Sequence, residues 1–194
     1  MKKIADIDID FADREKALEF IDHIPAAMIS NKEIKKHIVG VYPHNVPVDP
    51  VTNICSIDYK QAENYGFFKI DFLNVSIYKS VKNSDHLDEL IEREPVWDLL
   101  EAEDVVDSLF HINGHFDIVS KMKPKSVEQL AMVLAMIRPA KRYLVGKPWD
   151  EVEKEIWTKP TDDSYFFKKS HSFSYAFVII VQMNLLVEEI MENA

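Results

Sequence analysis

Glycine is scarce in this chain. Only four occur in 194 residues, Gly40, Gly66, Gly114 and Gly146, and no two are close together. Neither a phosphate-cradling P-loop nor the glycine turn of a dinucleotide-binding unit can be built from them. Cysteine is scarcer still: Cys55 stands alone, so no internal disulfide and no thiolate cluster for zinc or iron–sulfur can form, which fits a reducing compartment. Long apolar runs are missing. The longest, Ala176–Val181, is too short to cross a bilayer, and the opening MKKIADIDIDF meets an aspartate before any apolar signal region develops. These features predict a cytoplasmic chain without a membrane partner. Positive charge is outweighed, with 23 Lys and Arg against 33 Asp and Glu for a net of −10.

What is present suffices for a core. Hydrophobic residues make up 47% of the chain, including eleven Phe, seven Tyr, three Trp and seven Met, so disorder is excluded. Residues 3–11, KIADIDIDF, alternate apolar and acidic with period two, the pattern of a strand with one buried face, and Asp6, Asp8 and Asp10 then share the other face. Helical spacing over Ala12–Ile24, stopped by Pro25, predicts a helix. His37–Tyr42 and Gly66–Leu73 read as further strands, with PHNVPVDP a surface loop and Ile54–Asp58 a possible short strand.

From Ser84 onward the period changes to helical. His86–Arg93, Val96–Ala102, Phe116–Met122, Ser126–Ile137, Trp149–Trp157 and Phe173–Met191 are separated by Pro95, Pro124, Pro139, Pro148 and Pro160. The expectation is an α+β fold, a small mixed sheet over residues 1–80 followed by a helical layer over 81–194, the two forming one compact unit with a soft boundary.

Charge is unevenly spread. Asp85–Asp107 holds ten acids against Arg93 alone, a net of −9, whereas Lys121–Asp150 carries Lys121, Lys123, Lys125, Arg138, Lys141, Arg142 and Lys147 against two acids, a net of +5. A local basic segment on an acidic protein can hold phosphates while the rest repels them. A solvated lysine-rich surface explains the same composition equally well.

Chemistry concentrates in Asp8-Ile9-Asp10 and Lys69-Ile70-Asp71. Alternate positions on a strand face one way, so Asp8 and Asp10 converge, and Asp71 on a paired strand would complete a three-carboxylate cluster. Clustered carboxylates repel, and a divalent cation with hard oxygen ligands, magnesium or manganese, removes that penalty. Two such ions stabilise both the attacking and the leaving oxygen of an in-line phosphoryl transfer. Lys69 shares the face of Asp71 and can offset charge on a phosphate. The competing explanation is an edge strand whose charges discourage pairing. Against it, an apolar strand such as GFFKIDFL has little reason to carry Lys69 and Asp71 unless they are paired or functional. His111 and His115 in HINGH lack the glutamate of a zinc helix and read as structural. Ser170-His171 has the wrong geometry for a nucleophile pair, and Cys55 reads as a small buried residue.

These motifs resemble a known family. DIDIDF at 6–11 is similar to the palm signature P-D-I-D-I-D-F of the alpha subunit of bacterial DNA polymerase III, the C-family replicative polymerase, and IDYKQAENYGFFKIDFL at 57–73 to its F-D-x-x-x-V-E-x-x-G-L-x-K-x-D-F-L-G. His37–Val41 resembles H-A-A-G-V. Leu109–Gly114 resembles a degraded V-F-Q-L-E-S, and Lys123-Pro124 through Arg138-Pro139 resembles L-K-P followed by the helix ending R-P-G-P. FKKSHSFSYA at 167–176 resembles F-N-K-S-H-A-x-x-Y-A. The resemblance implies a nucleotidyltransferase-like palm with a helical fingers-like layer. In it Asp8, Asp10 and Asp71 hold two magnesium or manganese ions and Lys69 stands beside them. Lys121, Lys123, Lys125, Arg138, Lys141, Arg142, Lys169 and His171 would meet DNA or nucleotide phosphates.

The departures are also specific. Ala5, Asn74, His111, Asn113 and Ala140-Lys141 replace family residues, and no room exists between Asp10 and Asp71 for the family's thumb. The Gly-Ser grip on the triphosphate and the R-R-x-M-G-K-K stretch have no counterpart. The implied protein is a palm and partial fingers stripped to a core, of the kind a phage would encode for its host's cytoplasm, acting on DNA and deoxynucleotides. The rival reading is a catalytically inactive binding module directed at a replisome partner through the −9 segment. A third has the chain completed by a second polymerase-like chain.

Overall fold

The computed structural model describes residues 7–162 and 164–193. The N-terminal part of the predicted first strand, Asp6 included, lies outside them. The protein is a mixed α+β fold that divides into two compact units, Met1–Lys79 and Ser80–Ala194.

The first unit is built on β1 (Ile7–Phe11), α1 (Arg14–Leu18), β2 (Ile24–Ser30), β3 (Glu33–Tyr42), α2 (Tyr59–Asn64) and β4 (Ile70–Asn74). The strands form one mixed sheet in the order β1-β4-β3-β2. β1 runs parallel to β4, while β3 runs antiparallel to both β2 and β4. Alternation gives each face its own small cluster. Leu18, Val41 and Phe72 are buried on the α1 side, where the Phe11 ring stacks on Phe72 with centroids 4.8 Å apart. Tyr42 packs with Ala26, Ala27, Val46, Ile54, Cys55 and Ala62 in a second cluster.

The predicted helix from Ala12 to Ile24 is mostly absent. Asp13 caps a single short turn, accepting from the Lys16 amide at 3.3 Å, and Pro25 sits inside β2 rather than stopping a helix. A proline has no amide to give a ladder, and β2 is an edge strand interrupted by a bulge between Pro25 and Ala27, the setting in which proline is tolerated. The hairpin joining β2 to β3 turns at Asn31 and Lys32, whose φ angles of 53° and 66° are both left-handed, as a tight primed turn demands. α2 was not expected from the sequence. Asp58 builds it by accepting from the Lys60 amide at 3.0 Å, and also takes the Ile29 amide at 3.0 Å, tying the helix to β2. β4 begins later than expected because the chain leaves α2 through Gly66 at φ +86°. Ile54–Asp58 forms isolated bridges rather than a strand.

The second unit contains α3 (Ser84–Glu92), α4 (Glu103–Ser108), α5 (Phe116–Met122), α6 (Val127–Met136), α7 (Trp149–Glu155) and α8 (Lys169–Glu192), with tight helical turns at Trp97–Glu101 and Pro139–Leu144. Its core is the larger one. α6 is buried along Leu130–Met136 against α8, with Leu100, Val106, Ile112, Ile118 and Leu144 packed around them. Ser126 caps α6 by accepting from the Gln129 amide at 3.2 Å, and Gln129 in turn accepts from the Lys125 amide at 2.8 Å.

α8 is longer than its apolar run suggested. It is long and apolar enough to cross a membrane, with a mean hydropathy of 1.5 over its best window, of which 39% is buried within the fold. Ser, Gln and Asn interrupt the run without making the helix polar. Inside the unit, Asn184 is 1% exposed and its amide nitrogen donates to the carbonyls of Leu90 and Arg93, both at 2.9 Å. This ties α8 to the end of α3.

Candidate active site

The parallel register of β1 and β4 decides which acids meet. Asp8 pairs with Asp71, Ile9 with Phe72 and Asp10 with Leu73. Directly paired residues project to the same side of a sheet and residues two apart along a strand share a face. Asp8, Asp10 and Asp71 therefore lie on one face, opposite the Phe11–Phe72 stack. Asp10 carries the electrostatic mark of this: burial first, then the charge of Asp8, raises its pKa above the ordinary carboxylate value. The Tyr78 hydroxyl is also pushed up, by burial and then by Asp10.

Lys69 joins this face. Its ammonium donates to Asp71 Oδ1 in an ion pair whose side chains are only 16% and 18% exposed. The lysine and aspartate carried by an apolar strand are thus paired with each other. Gly40 lies opposite Asp71 on β3, and the pair needs its bare backbone. A Cβ there would stand 2.7 Å from Lys69 Cδ, 2.9 Å from His37 Nδ1 and 3.0 Å from Asp71 Oδ1.

His37 and Tyr59 complete the surroundings and were not among the expected site residues. His37 Nδ1 accepts from the Gly40 amide at 2.9 Å and from the Val39 amide at 3.3 Å, so in the neutral ring the proton sits on Nε2. Burial and then Lys69 lower the His37 pKa, and Asp71 and Asp58 oppose them. The Tyr59 ring stands edge-on to His37 with centroids 5.1 Å apart, and the Lys69 ammonium is 5.7 Å from the Tyr59 centroid. A histidine three residues before a glycine in a strand was the available signal, but it shows nothing of Tyr59.

The donor set is all oxygen and suits a hard divalent cation. As they stand, however, no three His, Cys, Asp or Glu side chains among the described residues are gathered into a group that could hold a metal ion. Lys69 already supplies a positive charge to Asp71, so a cation would have to displace that ammonium. The fit is one of composition and face, with the third ligand engaged elsewhere.

The expected phosphate contacts all lie in the second unit and divide into distinct roles. Lys141 is a correction. It is 3% exposed, and its ammonium is held by the Glu155 carbonyl at 2.6 Å and Thr158 Oγ1 at 2.9 Å, so it braces the turn after α7 and is closed to a phosphate. Arg138 is largely committed too, with its guanidinium carbon 4.3 Å from the centre of the Phe167 ring. Lys121, Lys123, Lys125, Arg142 and Lys169 remain exposed. The Lys169 ammonium lies 5.7 Å from the Phe173 ring and 5.9 Å from that of Trp157. His171 is partly buried, its ring 6.3 Å from that of Phe167.

His111 is structural, as its sequence context suggested. It has a left-handed φ of 60° and is packed among Phe110, Tyr175 and Phe167. Burial and then the Arg138 charge drive its pKa down to about 4. His115 is lowered by burial and then by Arg142.

No protein-family model, no curated protein and no solved structure matches this chain.

Proposed function

We propose that this chain is a miniature nucleotidyltransferase of the DNA polymerase III alpha kind, with a palm-like first unit and a fingers-like second unit, that joins nucleotides by two-metal phosphoryl transfer. The observation that carries the reading is the register of β1 and β4, which sets Asp8 beside Asp71 and puts Asp10 on the same face. Magnesium or manganese held by these carboxylates would activate the attacking oxygen and neutralise the leaving one. The chain's own residues do the rest. Asp8 and Asp10 on one strand offer a pair of ligands, and the pKa of Asp10, raised by burial and then by the charge of Asp8, marks a carboxylate whose ionised form a bound cation would favour. Lys69, once released from Asp71, would carry its charge to a phosphate oxygen, and His37 and Tyr59 restrict where its ammonium can go. The exposed Lys121, Arg142 and Lys169 would contact the DNA backbone.

The test is incorporation of labelled deoxynucleotides on a primed template by the purified chain with magnesium or manganese, beside Asp8→Asn and Asp71→Asn. Incorporation that both substitutions abolish is the expected result. Equal signals from wild type and variants would trace the activity to a contaminant and sink the reading.

One observation favours a second reading. Asp71 is already neutralised by Lys69 in a half-buried pair, the arrangement of a site that has closed. In that reading the chain is a catalytically inactive palm that binds a replisome partner. Absence of incorporation in every form, with recovery of a replication protein on the immobilised chain, would decide for it.

A further inference from the structure

The second unit holds a cavity of about 260 Å³ between the turn Trp97–Glu101 and the end of α5. That is just below the roughly 300–1,000 Å³ of drug-sized ligand pockets, the scale of a single small metabolite. Trp97, whose indole N–H donates to Glu94 Oε1 at 2.6 Å, and Leu100 are among the lining residues.

Four charged residues are also in the lining: Asp98 and Glu101 from the turn, Lys123 and Lys125 from the segment after α5. Among the described residues, neither carboxylate forms an ion pair with either ammonium, nor with any other group. Opposite charges around one cavity that leave each other unused are arranged for a ligand bearing both donors and an anion. Lys123 ends α5 as its left-handed cap, with φ 48° and its amide donating to the Val119 carbonyl at 2.8 Å.

Each feature narrows the ligand. An aromatic residue in the lining offers a ring system a stacking partner. Free phosphate alone would be repelled by Asp98 and Glu101. Ionised carboxylates only accept hydrogen bonds, so they favour a base edge made of adjacent donors. Guanine presents N1–H beside its N2 amino group. Adenine and cytosine set a ring-nitrogen lone pair beside their amino group, and uracil flanks its one N–H with carbonyls.

We propose that this cavity binds a guanine mononucleotide, with the base on Trp97, its donor edge on Asp98 and Glu101, and its phosphate on Lys123 and Lys125. None of the acidic triad takes part, so this site and the nucleotidyltransferase reading can fail separately.

Isothermal titration of the full chain with GMP, AMP, guanosine and inorganic phosphate tests it. GMP should bind saturably and about tenfold or more tighter than AMP or guanosine, the scale of one charge-assisted or bidentate contact. Lys123→Gly is the informative variant, because it removes the ammonium while easing the left-handed backbone. It should weaken GMP about tenfold with no fall in melting temperature. Asp98→Asn with Glu101→Gln should erase the preference for GMP over AMP. No saturable GMP binding at millimolar concentration, equal affinity for GMP and AMP, or full affinity in Lys123→Gly would each overturn the assignment.

Discussion

Asp71 is shared between two neighbours of opposite character: Asp8, level with it on the adjacent parallel strand, and Lys69, two residues back on its own chain and bonded to its Oδ1. The ammonium and an incoming cation compete for the same carboxylate. Lys69→Gln should therefore tighten manganese binding, by about tenfold for a half-buried charge pair, while lowering any nucleotide incorporation. Titration by the manganese electron-spin resonance signal measures the first effect, and unchanged affinity would show that the ion pair does not guard the site. Because the Asp10 pKa is raised, manganese affinity should also begin to fall at a higher pH than it does for a free aspartate.

Gly40→Ala addresses the same cluster from the backbone side. The added methyl would press on Lys69, His37 and Asp71 at once, and a buried overpacking of this kind costs about 1–3 kcal/mol. Urea denaturation should show a lower midpoint for the first unit. A midpoint equal to wild type would mean that the Lys69 stem moves aside freely.

Acidification should weaken the second unit through His111. Its imidazole has a pKa of about 4 in the fold, against roughly 6.5 when unfolded. Between these values the unfolded chain takes a proton that the folded one refuses, so stability is constant above the upper value and falls as pH drops toward the lower. After discounting for partial exposure the loss is about 1–2 kcal/mol. His111→Asn, which tolerates the left-handed backbone, should lose less stability than wild type between pH 7.5 and pH 4.5. Parallel pH profiles would assign the loss to other groups.

Arg14 is 8% exposed, and its Nε and Nη2 are buried with no hydrogen-bond partner, while Nη1 pairs with Glu15. A buried guanidinium so poorly satisfied stabilises little, and an apolar residue of similar length keeps the packing of its stem. Arg14→Met should leave stability unchanged or raise it by about 1–2 kcal/mol. A clear drop in melting temperature would contradict this.

Lys141 and Lys121 should separate structure from phosphate binding. Lys141→Met removes two buried hydrogen bonds and should cost about 1–3 kcal/mol while leaving the salt dependence of DNA binding untouched. Lys121→Gln should cost little stability and reduce the slope of log affinity against log salt by about one. Fluorescence anisotropy of a labelled duplex across a salt series reads both, and a Lys141 effect on the slope would return that residue to the interface.

Alternation made β1 legible, and proline-bounded helical periods located α5 to within a residue. Pro25 misled because a proline signals a helix stop and an edge strand with the same letter, and only the sheet order tells them apart. The Asp8–Asp71 pairing was foreseeable as a possibility, but parallel register follows from three-dimensional closure and has no local signal. Lys69 and Asp71 stood out as charges on an apolar strand, yet the sequence could not say that they answer each other. Lys141 looked like its exposed basic neighbours because burial of a lysine stem leaves no mark in composition. His37, Tyr59 and the cavity beside Trp97 depend on contacts between segments that periodicity does not connect.

β1 ends the sheet, and its outer rim has no partner strand among the described residues. Ile7 and Ile9 remain 39% and 37% exposed there, so the rim resembles a template onto which a strand from another molecule can add. Asp8 and Asp10 make that addition unfavourable, since a second copy would bring its own aspartates alongside. The same carboxylates thus protect solubility whether or not they ever hold a cation. The chain would be held to these aspartates even with no catalysis to preserve, because exchanging them for neutral residues would expose the sheet to self-association.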